Sequence, residues 1–202
     1  TLNLVQLAYQ AEHDIDKFFE LLQENMDDAK KLLLHRFYLL CKQGVFDDVY
    51  KKGYYLGAEK KDAYAMLKNG TLSIGFIGLW DAVSVLINEG IYSIDMMRKN
   101  FQLAYSIIQR MRDYTDQATK TECLNISLLA SAAEGVTGNF AQYDSMHLGR
   151  EFDVCKKGFY TNSFHVPVDL SVNYKDKIDM EGRFHHLCNG GSITYIELNE
   201  MP

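Results

Sequence analysis

Four short apolar runs, at 71–79, 123–129, 164–168 and 193–198, stand among longer stretches whose apolar residues recur at helical spacing, and this alternation is the strongest constraint on the fold. A run such as Leu72, Ile74, Phe76 and Ile77 set around Ser73 and Gly75 reads as a buried strand, with glycine permitting close backbone approach. Strands that alternate with helices pair in parallel, because a parallel pair needs a long crossover and a helix supplies it. The expected class is α/β, with substantially parallel strands, packed helices and functional loops beyond the strand ends.

The helices are read from their stripes. Leu4, Leu7, Ala8, Ala11, Ile15, Phe18, Phe19, Leu22 and Met26 predict one helix over 4–26, and Asp27 and Asp28 cap a second, whose stripe of Ala29, Leu32, Leu33, Phe37, Leu40 and Cys41 ends at Gly44. Together they form a helical hairpin. Residues 50–68 read as a loop with a short helix, and 80–88 as helical. Ser93 is an N-cap, and the stripe from Ile94 through Met111 predicts the longest helix of the chain, reaching about Gln117. A further helix is expected over 175–188.

Bulk properties exclude several classes. The 202 residues, 47% hydrophobic, suffice for one core and one domain, 1–202. A net charge of −6 with scattered Lys and Arg offers no stripe for a nucleic-acid backbone. No apolar run approaches the roughly 20 residues that span a bilayer, so no membrane is expected, and the chain reads as soluble and cytoplasmic. Cys41, Cys123, Cys155 and Cys188 stand 82, 32 and 33 positions apart, without a Cys-x-x-Cys pair. His165, His185 and His186 lack an accompanying carboxylate spacing, so no metal site is assigned. The opening at Thr1, without Met and four residues from a helix, is read as a cut inside a larger protein.

The chemistry-bearing candidates lie at strand mouths. Asn3 offers amide donors and an acceptor that do not titrate near neutral pH, and equally suits an N-cap. Ser131-Ala132-Ala133-Glu134-Gly135 follows a strand, where backbone N–H groups converge on an anion; Glu134 also suits the positive end of a helix. Tyr160-Thr161-Asn162-Ser163 supplies hydrogen-bond donors beside aromatic neighbours, or an Asx turn feeding a strand. Gly75 and Gly78 lack the spacing of a phosphate loop and read as packing positions.

These segments together resemble the class III, oxygen-sensitive ribonucleoside-triphosphate reductases, a branch of the glycyl radical enzymes. Asn3 in Thr1-Leu2-Asn3-Leu4 matches the family's Asn-Leu-Pro-Arg, with Val5-Gln6 in place of Pro-Arg. Residues 131–135 match Thr-Pro-Ala-Glu-Gly with Ala132 in place of Pro, and 159–163 match Tyr-Tyr-Thr-Asn-Ser with Phe159 as the first residue, upstream of Gly190-Gly191. The resemblance implies part of a ten-stranded α/β barrel of the glycyl radical enzyme type. It implies Asn3 beside the substrate sugar as the catalytic-site residue, with Ser131, Ala132, Ala133, Glu134, Tyr160, Thr161, Asn162 and Ser163 binding substrate.

It further implies reduction of a ribonucleoside triphosphate at its 2′ carbon by radical chemistry with formate as reductant, in the service of deoxyribonucleotide synthesis. No cofactor is expected on this chain. The glycyl radical and structural zinc would lie beyond Pro202 and the thiyl cysteine before Thr1, leaving this piece inactive alone. A radical S-adenosylmethionine activating enzyme and a homodimer are the implied partners of the full-length protein. Two alternatives stand beside this: a glycyl radical lyase of the formate-acetyltransferase kind, and a non-catalytic nucleotide-binding or scaffolding module.

Overall fold

A computed structural model describes residues 1–43, 62–91, 93–148 and 155–196. Three parallel strands, β1 (Leu2–Asn3), β2 (Thr71–Ile77) and β3 (Asn125–Ala130), form one sheet in the order β1-β2-β3. Leu2 pairs with Phe76 and Asn3 with Ile77, while β3 runs beside β2 from Thr71↔Asn125 to Phe76↔Ala130. Asn3, Ile77 and the residues after Ala130 therefore emerge at the same end of the sheet. Ile74 through Ile77 are all buried, as expected of a strand covered on both faces.

The first crossover carries α1 (Leu4–Gln10), α2 (Ile15–Gln43) and α3 (Ala63–Leu67); the second carries α4 (Leu79–Leu86), α5 (Ile94–Lys99) and α6 (Phe101–Glu122). After β3 come α7 (Glu134–His147), a short 3-10 turn (Cys155–Lys157) and α8 (Tyr174–His185). Leu4, Phe18, Phe76, Trp80, Ile108, Phe164 and Phe184 fill a single core between sheet and helices.

The stripes locate the helices, but their ends differ from expectation. The expected helix over 4–26 breaks at 11–14, where Glu12 and His13 take positive φ (53° and 71°) and Asp14 accepts from the Lys17 amide at 3.1 Å. Asp27 and Asp28 do not cap a second helix. α2 runs straight through them, because Asp27 is taken by the Tyr114 hydroxyl at 2.7 Å while Phe18, Leu22 and Met26 continue their buried face to Phe37. The hairpin is thus formed by α1 and α2, and α2, with 29 residues against 22 in α6, is the longest helix among the described residues. Ser93 caps α5 as expected, accepting from the Met96 amide, but Asn100 interrupts the run before α6. Gly44 and residues 50–61 of the expected loop lie outside the described residues.

The two downstream strand candidates also resolve differently. Residues 164–168 are irregular, since the His165 amide turns back to the Asn162 carbonyl and the Val166 amide goes to the Glu181 carboxylate. The second segment does meet the sheet, but earlier than 193–198. The Gly190 amide donates to Leu128 O at 2.8 Å, the Ala130 amide donates to Gly191 O at 3.0 Å, and Leu129 forms a parallel bridge with Gly191. A Cβ on Gly190 would stand 2.8 Å from that Leu128 oxygen, so only glycine permits this approach. Residues 197 and 198 are outside the described set.

Candidate active site

The segment from Phe159 to Val168 is held by the start of α4. The first amides of a helix have no partner within it. Here Gly78 N donates to Thr161 O at 2.8 Å and Leu79 N to Ser163 O at 3.0 Å, while the Trp80 indole donates to Phe164 O at 3.1 Å. Gly78 takes φ +75°, and a Cβ there would meet Val5 at 2.5 Å. The Thr161 amide returns a bond to Asp81 Oδ2 at 2.6 Å. Burial pushes the Asp81 carboxyl above its ordinary range, and the Thr161 amide opposes that rise.

Asn162 joins this segment to the end of β3. Its Oδ1 accepts from the Ala133 amide at 3.2 Å and its Nδ2 donates to Glu134 Oε1 at 3.3 Å. The Ala133 N–H, expected to face an anion, is thereby taken within the protein. Ser131 is buried and meets the Thr1 hydroxyl at 3.4 Å. Gly75 makes room for that pair, because a Cβ there would stand 2.1 Å from Ser131 Oγ. Ala132 is exposed. Ser163 is fully buried with φ +39°, and its Oγ has no hydrogen-bond partner among the described residues.

Asn3 is the N-cap of α1, and its side chain also reaches α7. Its Oδ1 accepts from the Gln6 amide at 3.2 Å, and its Nδ2 donates to Asp144 Oδ2 at 2.7 Å. The same Asp144 oxygen accepts from the Tyr160 hydroxyl at 2.8 Å, and Oδ1 accepts from Gln6 Nε2 at 3.1 Å. One fully buried carboxylate on α7 therefore gathers residues from the start of the chain, from α1 and from the 160 segment.

Beside this network lies a cavity of about 830 Å³ lined by Glu134, Tyr160, Thr161 and Asn162, with Phe159, Tyr174 and Tyr195 on its aromatic walls and His165 and Lys177 on its polar side. Behind it Glu181 is fully buried. Burial alone would raise its pKa, but the His165 ring, the Lys177 ammonium and the Val166 amide outweigh it and hold the carboxyl at about 2. The 189–196 segment is pinned by His185, whose Nδ1 lies 2.6 Å from Ser192 Oγ and whose Nε2 lies 2.9 Å from Thr194 Oγ1.

Of the nine sequence-predicted positions, Glu134, Tyr160, Thr161 and Asn162 line the cavity, and Ala133 touches it through Asn162. Asn3 reaches it through Asp144 and Tyr160, while Ser131, Ala132 and Ser163 lie outside its wall. Asp144, Glu181, Asp81 and Lys177 were not singled out from the sequence. The signal for Asp144 is periodic: Thr137, Ala141 and Asp144 form the buried face of α7, and the third member is a carboxylate.

A family model described as anaerobic ribonucleoside-triphosphate reductase matches residues 1–202. The chain belongs to the anaerobic ribonucleoside-triphosphate reductase family. The reductases of Salmonella typhimurium and Escherichia coli are each 33% identical over 205 residues, covering 98% of this chain and 28% of theirs. That of Enterobacteria phage T4 is 31% identical, covering the whole of this chain and 33% of its own. The chain thus spans about a third or less of the length of these relatives. Among solved structures, the Thermotoga maritima anaerobic ribonucleotide reductase with citrate in its active site superposes with a TM-score of 0.76 at 18% identity, covering 98% of this chain and 35% of that one. The same enzyme in complex with dATP and CTP gives 0.69 at 18%, covering 95% and 30%. The fold is that of the family's reductases, and the match falls on the reductase branch, not the lyase weighed above.

Proposed function

We propose that this chain walls the sugar and phosphate side of the active site in an anaerobic ribonucleoside-triphosphate reductase. The whole protein reduces ribonucleoside triphosphates to deoxyribonucleoside triphosphates with formate as reductant. The observation that supports this most is that Glu134 and the 159–162 segment wall one cavity at one end of a parallel sheet, with Asn3 joined to that wall through Asp144 and Tyr160, and Ala133 through Asn162. Asn3 retains one amide hydrogen and one lone pair for a ribose hydroxyl. Asn162 and Thr161 face the substrate's polar groups, and Phe159 and Tyr160 shield the sugar from water. The protein's contribution is orientation and exclusion of solvent.

A glycyl radical, borne by a part of the protein beyond this chain, supplies the one-electron chemistry when formed. In this reading it is installed by a radical S-adenosylmethionine activating enzyme, and the full-length protein is a homodimer. In this reading the structural zinc is held by another part of the whole enzyme. In the activated full-length enzyme, Asn3→Ala and Asn162→Ala should each lower kcat/KM for a ribonucleoside triphosphate about a hundredfold while the radical's electron paramagnetic resonance signal persists. Undiminished turnover in both variants overturns the reading.

A further inference from the structure

Asp144 lies outside the cavity wall, yet it joins three of the segments around it. Among the described residues its three hydrogen-bonding side-chain partners, Asn3, Gln6 and Tyr160, are neutral donors, so a fully buried carboxylate is satisfied without a cation among them. We propose that Asp144 is a positioning residue, which fixes the Asn3 amide and the Tyr160 hydroxyl on one shared oxygen so that both present a single geometry to the substrate sugar. This rests on the reading of Asn3 as a substrate contact.

The orientation of an Asn amide is set by its partners. The Asn3 oxygen must face the Gln6 N–H, and its nitrogen must face the carboxylate. Turning the amide over would set donor against donor and oxygen against carboxylate, so only one orientation survives. Tyr160 OH takes the same Oδ2, which ties the 160 segment to the mouth of β1. Gln6 Nε2 occupies Oδ1 and stops the carboxylate from rotating. Asp144 itself lies behind these groups and does not line the cavity.

The test uses the activated full-length enzyme. Asp144→Asn should lower kcat about a hundredfold, with KM little changed and the radical signal retained. In an Asn3→Ala background the same substitution should lower turnover by no more than about twofold further, because a positioning residue has nothing left to position. The exchange Asn3→Asp with Asp144→Asn restores an amide–carboxylate bond with its polarity reversed. Melting temperature should return towards that of the parent while turnover stays low, since residue 3 then has no N–H for a hydroxyl.

Losses that multiply in the double variant, or an exchange that restores turnover, make Asp144 a mere staple and overturn the proposal. Should Asp144→Asn fail to fold, Gln6→Ala frees only the outer oxygen and should cost about tenfold; unchanged turnover there also overturns it. If Asn3→Ala itself keeps full turnover, the sugar-contact reading fails first. If Asn3→Ala is dead and Asp144→Asn is not, positioning alone fails.

Discussion

Asp144 and Glu181 are both fully buried carboxylates close to the same cavity, yet they are held in opposite ways: both Asp144 oxygens accept hydrogen bonds, whereas among the described residues the contacts of Glu181 fall on Oε1 and leave Oε2 unpartnered. Glu181 receives the Lys177 ammonium, the Val166 amide at 2.9 Å and the His165 ring at 3.4 Å, which clips the irregular 164–168 stretch onto α8. Among the described residues Asp144 receives only amides and a phenol, each from a segment that carries a candidate substrate contact or adjoins one. A buried carboxylate matched by a cation holds the backbone in place, whereas one matched by neutral donors sets the direction of the side chains that surround it. The charged clip is expected to govern stability, and the neutral one turnover.

The largest effect is expected from Lys177→Met, which strands a buried carboxylate and should cost about 4 kcal/mol in denaturant unfolding. Glu181→Gln leaves a lysine that is partly exposed and able to reach water, and should cost about 2–3 kcal/mol. Asp144→Asn should cost only about 1–2 kcal/mol, and Tyr160→Phe about 1 kcal/mol. A reversed order, with the Asp144 variant the least stable, would erase the distinction between the two carboxylates. The pH dependence sharpens it further. Glu181 is held at about 2 against an ordinary 4.5, so its contribution is complete above about 4.5 and is lost as pH falls towards 2. Unfolding followed across that window should steepen in the parent and flatten in Glu181→Gln.

Much of this was legible in the chain because it is local. The Ser93 cap, the capping role of Asn3, the strand at 71–77 and the helix after Asn173 depend on residues within a few positions of one another. What escaped depends on distant partners. Asp27 looks like a cap until Tyr114 on another helix claims it, and residues 164–168 look like a strand until Glu181 takes the Val166 amide. Asp144 sits in a helix of mostly polar composition, where a carboxylate reads as solvated, and only the convergence of Asn3, Gln6 and Tyr160 marks it. The resemblance drew attention to the 131–135 and 160–163 segments. It carried no information about which of their hydrogen bonds are spent internally, as that of Ala133 is on Asn162.

The bond from Asn3 to Asp144 joins residues 141 positions apart, and that from Gln6 joins residues 138 apart. Closing loops of that length is slow and is rewarded only after the intervening sheet is built. The knot at residue 144 is therefore expected to form late, after the rate-limiting barrier. Weakening it should hasten unfolding while leaving the refolding rate almost untouched, so that the overall shape is reached before the Asn3 and Tyr160 side chains are aimed.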